Sequence, residues 1–184
     1  MDLSTGTLGA QDVATATGTT PKQITDWCHQ GHIIGQKDRL GKGHRREFTF
    51  NNVMQIAVGV ALMQHGVQSP ADAFAAAAHF AHFGSGHSGW VNENNEIVEE
   101  PPRPRRNPGL PYHYRNGDTY LIVSGERSNV VLVEKGQLDL YSIFPELVRA
   151  PAVFIAVNVS AVFAAVVENM GQDWRAVLDA IYGR

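Results

Sequence analysis

Residues 20–50 constrain the fold of this chain more than any other stretch. Thr20 is a residue type that caps helix N-termini, and Pro21 follows at the first helical position, where its missing N–H loses no hydrogen bond. Gly31 suits the left-handed conformation that ends a helix. The spacing therefore predicts a short helix with sharp ends. Its inward side chains are predicted to be Ile24, Trp27 and Cys28, and its outward ones Lys22, Gln23, Thr25 and Asp26.

A hairpin with a charged tip is predicted directly after this helix. The runs 32–34 and 47–50 are rich in β-prone residues, and the segment 36–46 between them is basic. Three glycines, at 35, 41 and 43, supply turns. The basic side chains of the segment are Lys37, Arg39, Lys42, Arg45 and Arg46. The pattern predicts a two-stranded wing beside the helix.

A further short helix is predicted upstream, over 8–18. Leu8, Val13 and Ala14 share its inner side, and Gly18 ends it. A helix, a tight turn at Gly18 and Thr19, and a second helix form the helix-turn-helix layout. In proteins with this layout the second helix lies in the major groove of DNA.

Together, these elements form a pattern spread over roughly the first seventy residues. Its members are Val13, Ala14, Gly18, Thr20, Pro21, Lys22, Ile24, Trp27, Gly31, Arg46, Phe48, Val53, Ile56, Leu62 and Gly66. With these residues the stretch resembles the DNA-binding domain of the MerR family of transcription regulators. The resemblance implies a winged helix-turn-helix that binds double-stranded DNA as a homodimeric transcription regulator.

The recognition helix departs from the family pattern. The family usually has an Arg followed by two aromatic residues, whereas this chain has Thr25, Asp26 and Trp27. The Arg that would clamp a phosphate is absent, so this helix alone should bind DNA weakly. Phage excisionases and small terminase subunits share the winged helix, and their short pattern around Trp27 and Gly31 fits about as well. A winged helix that serves as a protein-protein adaptor is a further alternative, permitted by Asp26.

Charge is distributed unevenly along the chain, although its formal net charge is −3. Residues 20–50 hold six Lys or Arg against three Asp or Glu, a balance of +3. Residues 51–100 hold five acidic residues and no Lys or Arg, a balance of −5. A local positive field of this kind is typical of a DNA contact surface, and a solvated basic turn is the alternative.

The length of 184 residues suits one ordinary domain or two small ones, and a hydrophobic content of 43% allows a sizeable core. One cysteine excludes an internal disulfide and suits a reducing compartment. The N-terminal residues lack the basic and apolar regions of a secretory signal, so we expect a cytoplasmic protein. The uncharged run 150–167 is interrupted by Pro151, Asn158 and Ser160, which favours a strand and a capped helix over a membrane span.

The predicted fold class is α+β, in three parts. Residues 1–83 form the winged helix-turn-helix with two supporting helices, one capped by Asn51 or Asn52 and one by Ser69. Residues 84–117 form a linker rich in Gly, Pro and Arg. Residues 118–184 form an α+β part with a small antiparallel sheet, which serves assembly or receives a small-molecule or protein effector. The strands are expected at 120–123, 130–133, 137–143 and 152–159, and helices at 160–171 and 173–182.

Candidate sites of chemistry are few. His79 and His82 lie three residues apart on a helix, and with His87 they form a candidate zinc or nickel site, for which unliganded histidines are the alternative. Cys28 is expected to be an inert buried thiol, with a redox switch as the alternative. The sequence 84–89 spells G-x-G-x-x-G but follows a helix, which excludes a dinucleotide site. Neither an enzyme nor a cofactor is predicted.

The sequence therefore predicts a transcription regulator that acts by binding. Lys22, Gln23 and Thr25 are expected to contact base edges, and the basic wing to contact phosphates. The DNA-contacting residues are predicted to be Thr20, Lys22, Gln23, Thr25, Lys37, Arg39, Lys42, His44, Arg45 and Arg46. Arg103, Arg105, Arg106 and Arg115 are candidate phosphate contacts or members of a solvated linker.

Overall fold

The computed structural model describes residues 6–35, 46–85, 89–91, 97–99, 105–134 and 153–183. The helices in these ranges are α1 (Ala10–Thr17), α2 (Pro21–His29), α3 (Phe50–Gln64), α4 (Pro70–His82), α5 (Val159–Asn169) and α6 (Trp174–Tyr182). The strands are β1 (Gly89–Val91), β2 (Ile97–Glu99), β3 (Asp118–Ser124), β4 (Arg127–Val133) and β5 (Ile155–Asn158). The α+β class is confirmed.

The boundaries of α1 and α2 follow from local signals. Gly18 ends α1 with φ 67°, a left-handed conformation that costs glycine little. Thr20 caps α2, because its side chain accepts a hydrogen bond from the Gln23 N–H at 3.2 Å. Ile24 and Cys28 are buried, and the half-buried Trp27 ring packs 4.9 Å from the ring of Phe74. The two predicted helices and the inward face of α2 are confirmed.

The predicted strands of the wing are not formed as expected. Residues 32–34 lie in no strand, and Phe48 pairs with Leu8 through hydrogen bonds of 2.9 and 3.0 Å. Phe50, predicted as a strand residue, begins α3, because Thr49 caps that helix and accepts from the Asn52 N–H while its own N–H donates to Asn52 Oδ1 at 2.9 Å. The predicted cap at Asn51 or Asn52 is therefore wrong by two or three residues. Residues 36–45 lie outside the described ranges.

Helices α3 and α4 pack closely against each other. Helix α3 is buried on most sides, and Ser69 caps α4 as expected. Gly59 allows the close approach, since a Cβ atom there would lie 2.5 Å from Cδ1 of the fully buried Phe74 ring. The lack of a side chain at Gly59 is thus a packing requirement.

We expect Gly59→Ala to lower the free energy of unfolding by about 1–2 kcal/mol, because overpacking outweighs the roughly 1 kcal/mol that alanine gains in helix propensity. Urea denaturation measures the change. The control is the same substitution in a Phe74→Leu background, where the smaller side chain should relieve the overlap. Strictly additive costs of the two substitutions would show that the contact is not the cause.

The three-stranded antiparallel sheet has the strand order β4-β3-β5, and β1 pairs with β2 in a separate two-stranded sheet. Leu121 of β3 pairs with Val130 on one side and Val157 on the other. The β3–β4 hairpin is confirmed, with a tighter turn than predicted, since Ser124 already pairs with Arg127. Strand β5 lies within the predicted run 152–159, and the predicted strand 137–143 lies outside the described residues.

The two C-terminal helices occupy the predicted regions. Asp173 caps α6, and the cap of α5 lies two residues earlier than expected, at Asn158 in place of Ser160. Ser160 instead accepts a hydrogen bond from the Thr119 N–H at 2.9 Å, which joins α5 to β3. Among the described helices, none has the length and apolarity that a bilayer crossing requires.

One hydrophobic core joins residues from the first and last thirds of the chain. Helix α5 contacts α1, α3 and β3, and the rings of Phe50 and Phe163 meet edge to face at 6.0 Å. Phe163, Val166 and Val167 are buried in this core. The division into 1–83, 84–117 and 118–184 stays a prediction. Described side chains of the first and the last of these parts share one core.

Arg106 lies inside the protein, so its placement in a solvated linker is wrong. Its guanidinium donates to the carbonyl oxygens of Phe80 at 2.9 Å, Leu110 at 3.3 Å and Phe83, and it lies 5.0 Å from the centre of the Phe80 ring. Burial lowers the pKa of the Arg106 side chain. Two of these carbonyls lie at the C-terminal end of α4, where the helix dipole favours a positive charge.

Candidate nucleic-acid interface

The exposed face of α2 presents short side chains that bond to their own helix. Gln23 Oε1 accepts from both the N–H and the hydroxyl of Thr20, at 3.0 and 2.9 Å. The Thr25 hydroxyl donates to the Pro21 carbonyl oxygen at 2.8 Å. To contact a base edge through these same atoms, both side chains would have to release the bonds.

Lys22 is the most accessible cation of this face. Its side chain is 87% exposed, and its ammonium lies 3.2 Å from the carboxylate of Asp26, four residues later. An exposed pair of this kind contributes only about 0.3–0.5 kcal/mol, so the ammonium can exchange Asp26 for a phosphate or a base at small cost. Lys22 thus combines charge, exposure and reach.

Arg46 attaches the end of the basic segment to α2. Its Nη1 donates to the Thr25 carbonyl oxygen at 3.3 Å, and its Nη2 lies 3.4 Å from His29 Nδ1. The Asp26 carboxylate of the same helix holds Lys22. Arg46 therefore lies against the helix that carries the predicted base-contacting side chains.

The beginning of the basic segment is fixed by two buried amides of α3. Gln55 Oε1 accepts from the Ile34 N–H at 3.2 Å, and Gln55 Nε2 donates to the His32 carbonyl at 3.0 Å. Asn52 Nδ2 donates to the Ile34 carbonyl at 2.6 Å. Both amide side chains are fully buried. We call Asn52 and Gln55 the amide clamp, since together they hold the main chain that leads from α2 into the basic segment.

A groove of about 750 Å³ separates the start of α1 from α2 and Arg46. Its lining includes Gln11, Asp12, Thr25, His29 and Arg46. Asp12 is bonded within α1, because one of its carboxylate oxygens accepts from the Gly9 N–H at 3.0 Å. The groove therefore offers Arg46 and His29 on one wall and an acidic residue on the other.

Of the predicted DNA-contacting residues, the structure places Thr20, Lys22, Gln23, Thr25 and Arg46 on or against α2. The other five, Lys37, Arg39, Lys42, His44 and Arg45, lie outside the described residues. The side chains that fix this surface without having been predicted to do so are Asn52 and Gln55. The sequence did contain a signal for the amide clamp, because Asn52 and Gln55 are polar residues three positions apart in a helix that is mostly apolar.

The histidines proposed as metal ligands have separate partners. His79 Nδ1 lies 3.1 Å from the Ser128 hydroxyl, and His82 Nε2 lies 3.1 Å from Gln55 Oε1. Burial lowers the pKa of His82, which favours its neutral form. His87 lies outside the described ranges, and within them no group of three or more ligating residues could hold a metal ion.

Comparisons with protein-family models, with curated proteins and with solved structures found no significant match. The resemblance to MerR regulators therefore stays an expectation. What supports a function is the arrangement of α2, Arg46 and the amide clamp.

Proposed function

We propose that the protein binds double-stranded DNA through α2 and the basic segment 36–46, and that it acts as a transcription regulator. The observation that carries this proposal is the attachment of Arg46 to the Thr25 carbonyl of α2 at 3.3 Å. A basic segment that ends on the exposed helix can contact the same duplex as that helix. Winged helix-turn-helix proteins combine a helix and a basic element in this way.

The amide clamp supports the same proposal from the other end of the segment. Main-chain atoms of His32 and Ile34 are bonded to buried side chains of α3, so the segment leaves the core at a fixed point. Its sequence contributes Lys37, Arg39, Lys42 and Arg45 with one acidic residue, Asp38. A segment whose two ends are fixed loses less conformational entropy than a free segment when its side chains bind phosphates.

The residues divide into two proposed roles. Lys22, with Gln23 and Thr25 after release from their intrahelical bonds, would contact bases in the major groove and so select the site. Arg46 and the basic segment would contact phosphates and supply most of the affinity. Because α2 lacks an arginine of its own, we expect the phosphate contacts to dominate.

Assembly as a homodimer in the cytoplasm is part of the proposal. Phe163, Val166 and Val167 from the uncharged run 150–167 are buried in the chain's own core, so a dimer would use other residues. Two linked weak half-sites would bind DNA far more tightly than one. Light scattering of the full chain at increasing concentration distinguishes a dimer from a monomer.

Arg46→Ala should weaken binding to every duplex, because a lost phosphate contact carries no sequence information. Fluorescence anisotropy on a duplex selected by the protein and on random duplexes should show a similar loss for both. The slope of log affinity against log salt should fall by about 1. Arg127→Ala, which changes an exposed arginine at the start of β4, is the matched control and should bind as the unchanged protein does.

Three outcomes would contradict parts of this proposal. A loss confined to the selected duplex would contradict the phosphate role of Arg46. Binding of the unchanged protein to no duplex at low salt would contradict DNA binding altogether and favour a protein-protein adaptor. Footprints on tandem sites with strong bending would favour a phage-type architectural or packaging protein over a regulator.

A further inference from the structure

The C-terminal helix α6 is attached to residues 113–115 by polar contacts. Asp179 lies 2.8 Å from Nε2 of the buried His113, and its carboxylate accepts from the Tyr114 hydroxyl at 3.3 Å. Arg115 Nη2 lies 3.9 Å from the same carboxylate. The hydrogen bond with His113, more than any other contact, holds the pKa of Asp179 below its usual value. The contacts bring two arginines and two aromatic rings together on one surface.

These four side chains form a continuous row, which we call the arginine-aromatic row. The Arg115 guanidinium lies 5.7 Å from the centre of the Tyr114 ring, and the Arg175 guanidinium lies 4.4 Å from the centre of the Trp174 ring. The two rings meet edge to face at 5.5 Å. The Arg115 side chain is 57% exposed, and Arg175 is exposed. Both ends of the row therefore face solvent.

A guanidinium that stacks on a ring keeps the N–H groups at its edge for other partners. Stacking also restricts the side chain before any partner binds, so less entropy is lost on binding. The partner with matching geometry is an anion with paired oxygen acceptors, above all a phosphate. Of the acidic neighbours, Asp179 makes shorter contacts with His113 and Tyr114, at 2.8 and 3.3 Å, than with Arg115, at 3.9 Å. Asp173 accepts from the backbone N–H of Arg175 as the cap of α6.

A short stretch of chain connects the row to a residue that contacts α1. The side chain of Asn169, the last residue of α5, donates to the Ala16 carbonyl at 3.2 Å. Trp174 follows five residues later, so the row begins at most about 18 Å from that contact along the chain. A duplex that lies on α2 extends about 34 Å for each helical turn, which is longer than this distance.

We propose that the arginine-aromatic row is a second contact for double-stranded DNA, at which Arg115 and Arg175 bind phosphates outside the segment covered by α2. The inference rests on the proposed DNA-binding function and adds to it a distinct surface with its own residues. It assigns α6 a role in DNA affinity, and none in the choice of sequence.

The test compares the unchanged protein with an Arg115→Ala and Arg175→Ala double variant on random-sequence duplexes of about 12 and about 30 base pairs, roughly one and three helical turns. On the longer duplex we expect about a tenfold loss of affinity and a salt slope smaller by about 2. On the shorter duplex the two proteins should bind equally. Arg127→Ala should match the unchanged protein on both lengths.

A second variant separates a phosphate contact from a packing role. Arg115→Lys and Arg175→Lys together keep the charges but lose the planar stack, so this protein should retain the salt slope and recover part of the lost affinity. Circular dichroism confirms that each variant is folded. Equal affinity of the alanine variant and the unchanged protein for the longer duplex would overturn the inference, as would an equal loss on both lengths.

The outcome also distinguishes failure of this inference from failure of the proposed function. If the unchanged protein binds neither duplex at low salt, DNA binding itself is wrong and the inference falls with it. If the unchanged protein binds, and Arg46→Ala weakens binding while the double alanine variant does not, only the second contact is wrong.

Discussion

Replacing Arg106 with alanine will lower the free energy of unfolding by about 3–5 kcal/mol, because each buried carbonyl oxygen left without its donor costs about 1–3 kcal/mol. The guanidinium donates to carbonyls of Phe80, Phe83 and Leu110, of which only that of Phe80 has a second donor among the described residues, the Gly109 N–H at 3.3 Å. Its side chain also covers the Phe80 ring at 5.0 Å. Since single domains are stable by only about 5–15 kcal/mol, this loss is a large share of the total.

Urea denaturation followed by circular dichroism measures this effect, and the chain offers a matched control one residue away. Arg105 is exposed, and we expect Arg105→Ala to change stability by no more than about 1 kcal/mol. Arg106→Lys should lower the free energy of unfolding by an amount between those of the two alanine variants. An ammonium keeps the charge, but it lacks the planar fork of N–H groups that reaches all three carbonyls. An Arg106→Ala protein as stable as the Arg105→Ala protein would show that the buried guanidinium contributes nothing.

Gln55→Met is expected to reduce stability by about 2–4 kcal/mol and to weaken DNA binding as well. The methionine side chain has a similar length and no amide, so it leaves the Ile34 N–H and the carbonyls of His32 and Phe74 without their partner. It also removes the contact with His82. The main chain that leads into the basic segment is then held by Asn52 alone among the amide clamp.

Two measurements keep the stability effect and the binding effect apart. Affinity for DNA is measured at a temperature where unfolding curves show the variant to be fully folded. Gln64→Met, an exposed position at the end of the same helix, is the control and should change stability by less than about 0.5 kcal/mol. A Gln55→Met protein with unchanged stability would show that Gln55 contributes to stability through packing alone and not through its hydrogen bonds.

Local signals allowed the N-terminal helices to be predicted from the sequence. Thr20, Pro21 and Gly18 act within one turn of the main chain, and such effects depend little on the rest of the molecule. The strand expected at 47–50 failed for a related reason, since β-prone residues there compete with a cap at Thr49 and its partner Asn52. At that position the capping hydrogen bonds outweigh the strand propensity.

The polar contacts of the candidate site and of the core could not be predicted, because they join residues far apart in sequence. Gln55 bonds to main chain 21 and 23 residues earlier, and His113 contacts Asp179 across 66 residues. Composition indicated that Arg106 belonged to a polar linker, whereas its environment is set by the end of α4. Polar residues with many possible partners acquire a role only when the fold brings one partner within reach.

The bond between Asn169 and the Ala16 carbonyl has a consequence for synthesis of the protein. Helix α5 packs on α1 and α3, so the core beneath the proposed DNA-binding helices stays open until residues near 170 have been made. At about 5–20 residues per second, the ribosome needs several seconds or more to reach them after α1 emerges. During that interval the nascent chain exposes apolar surface that a chaperone would bind. The proposed DNA-binding surface is therefore completed only after residues near 170 have been made, although its own residues are translated earlier.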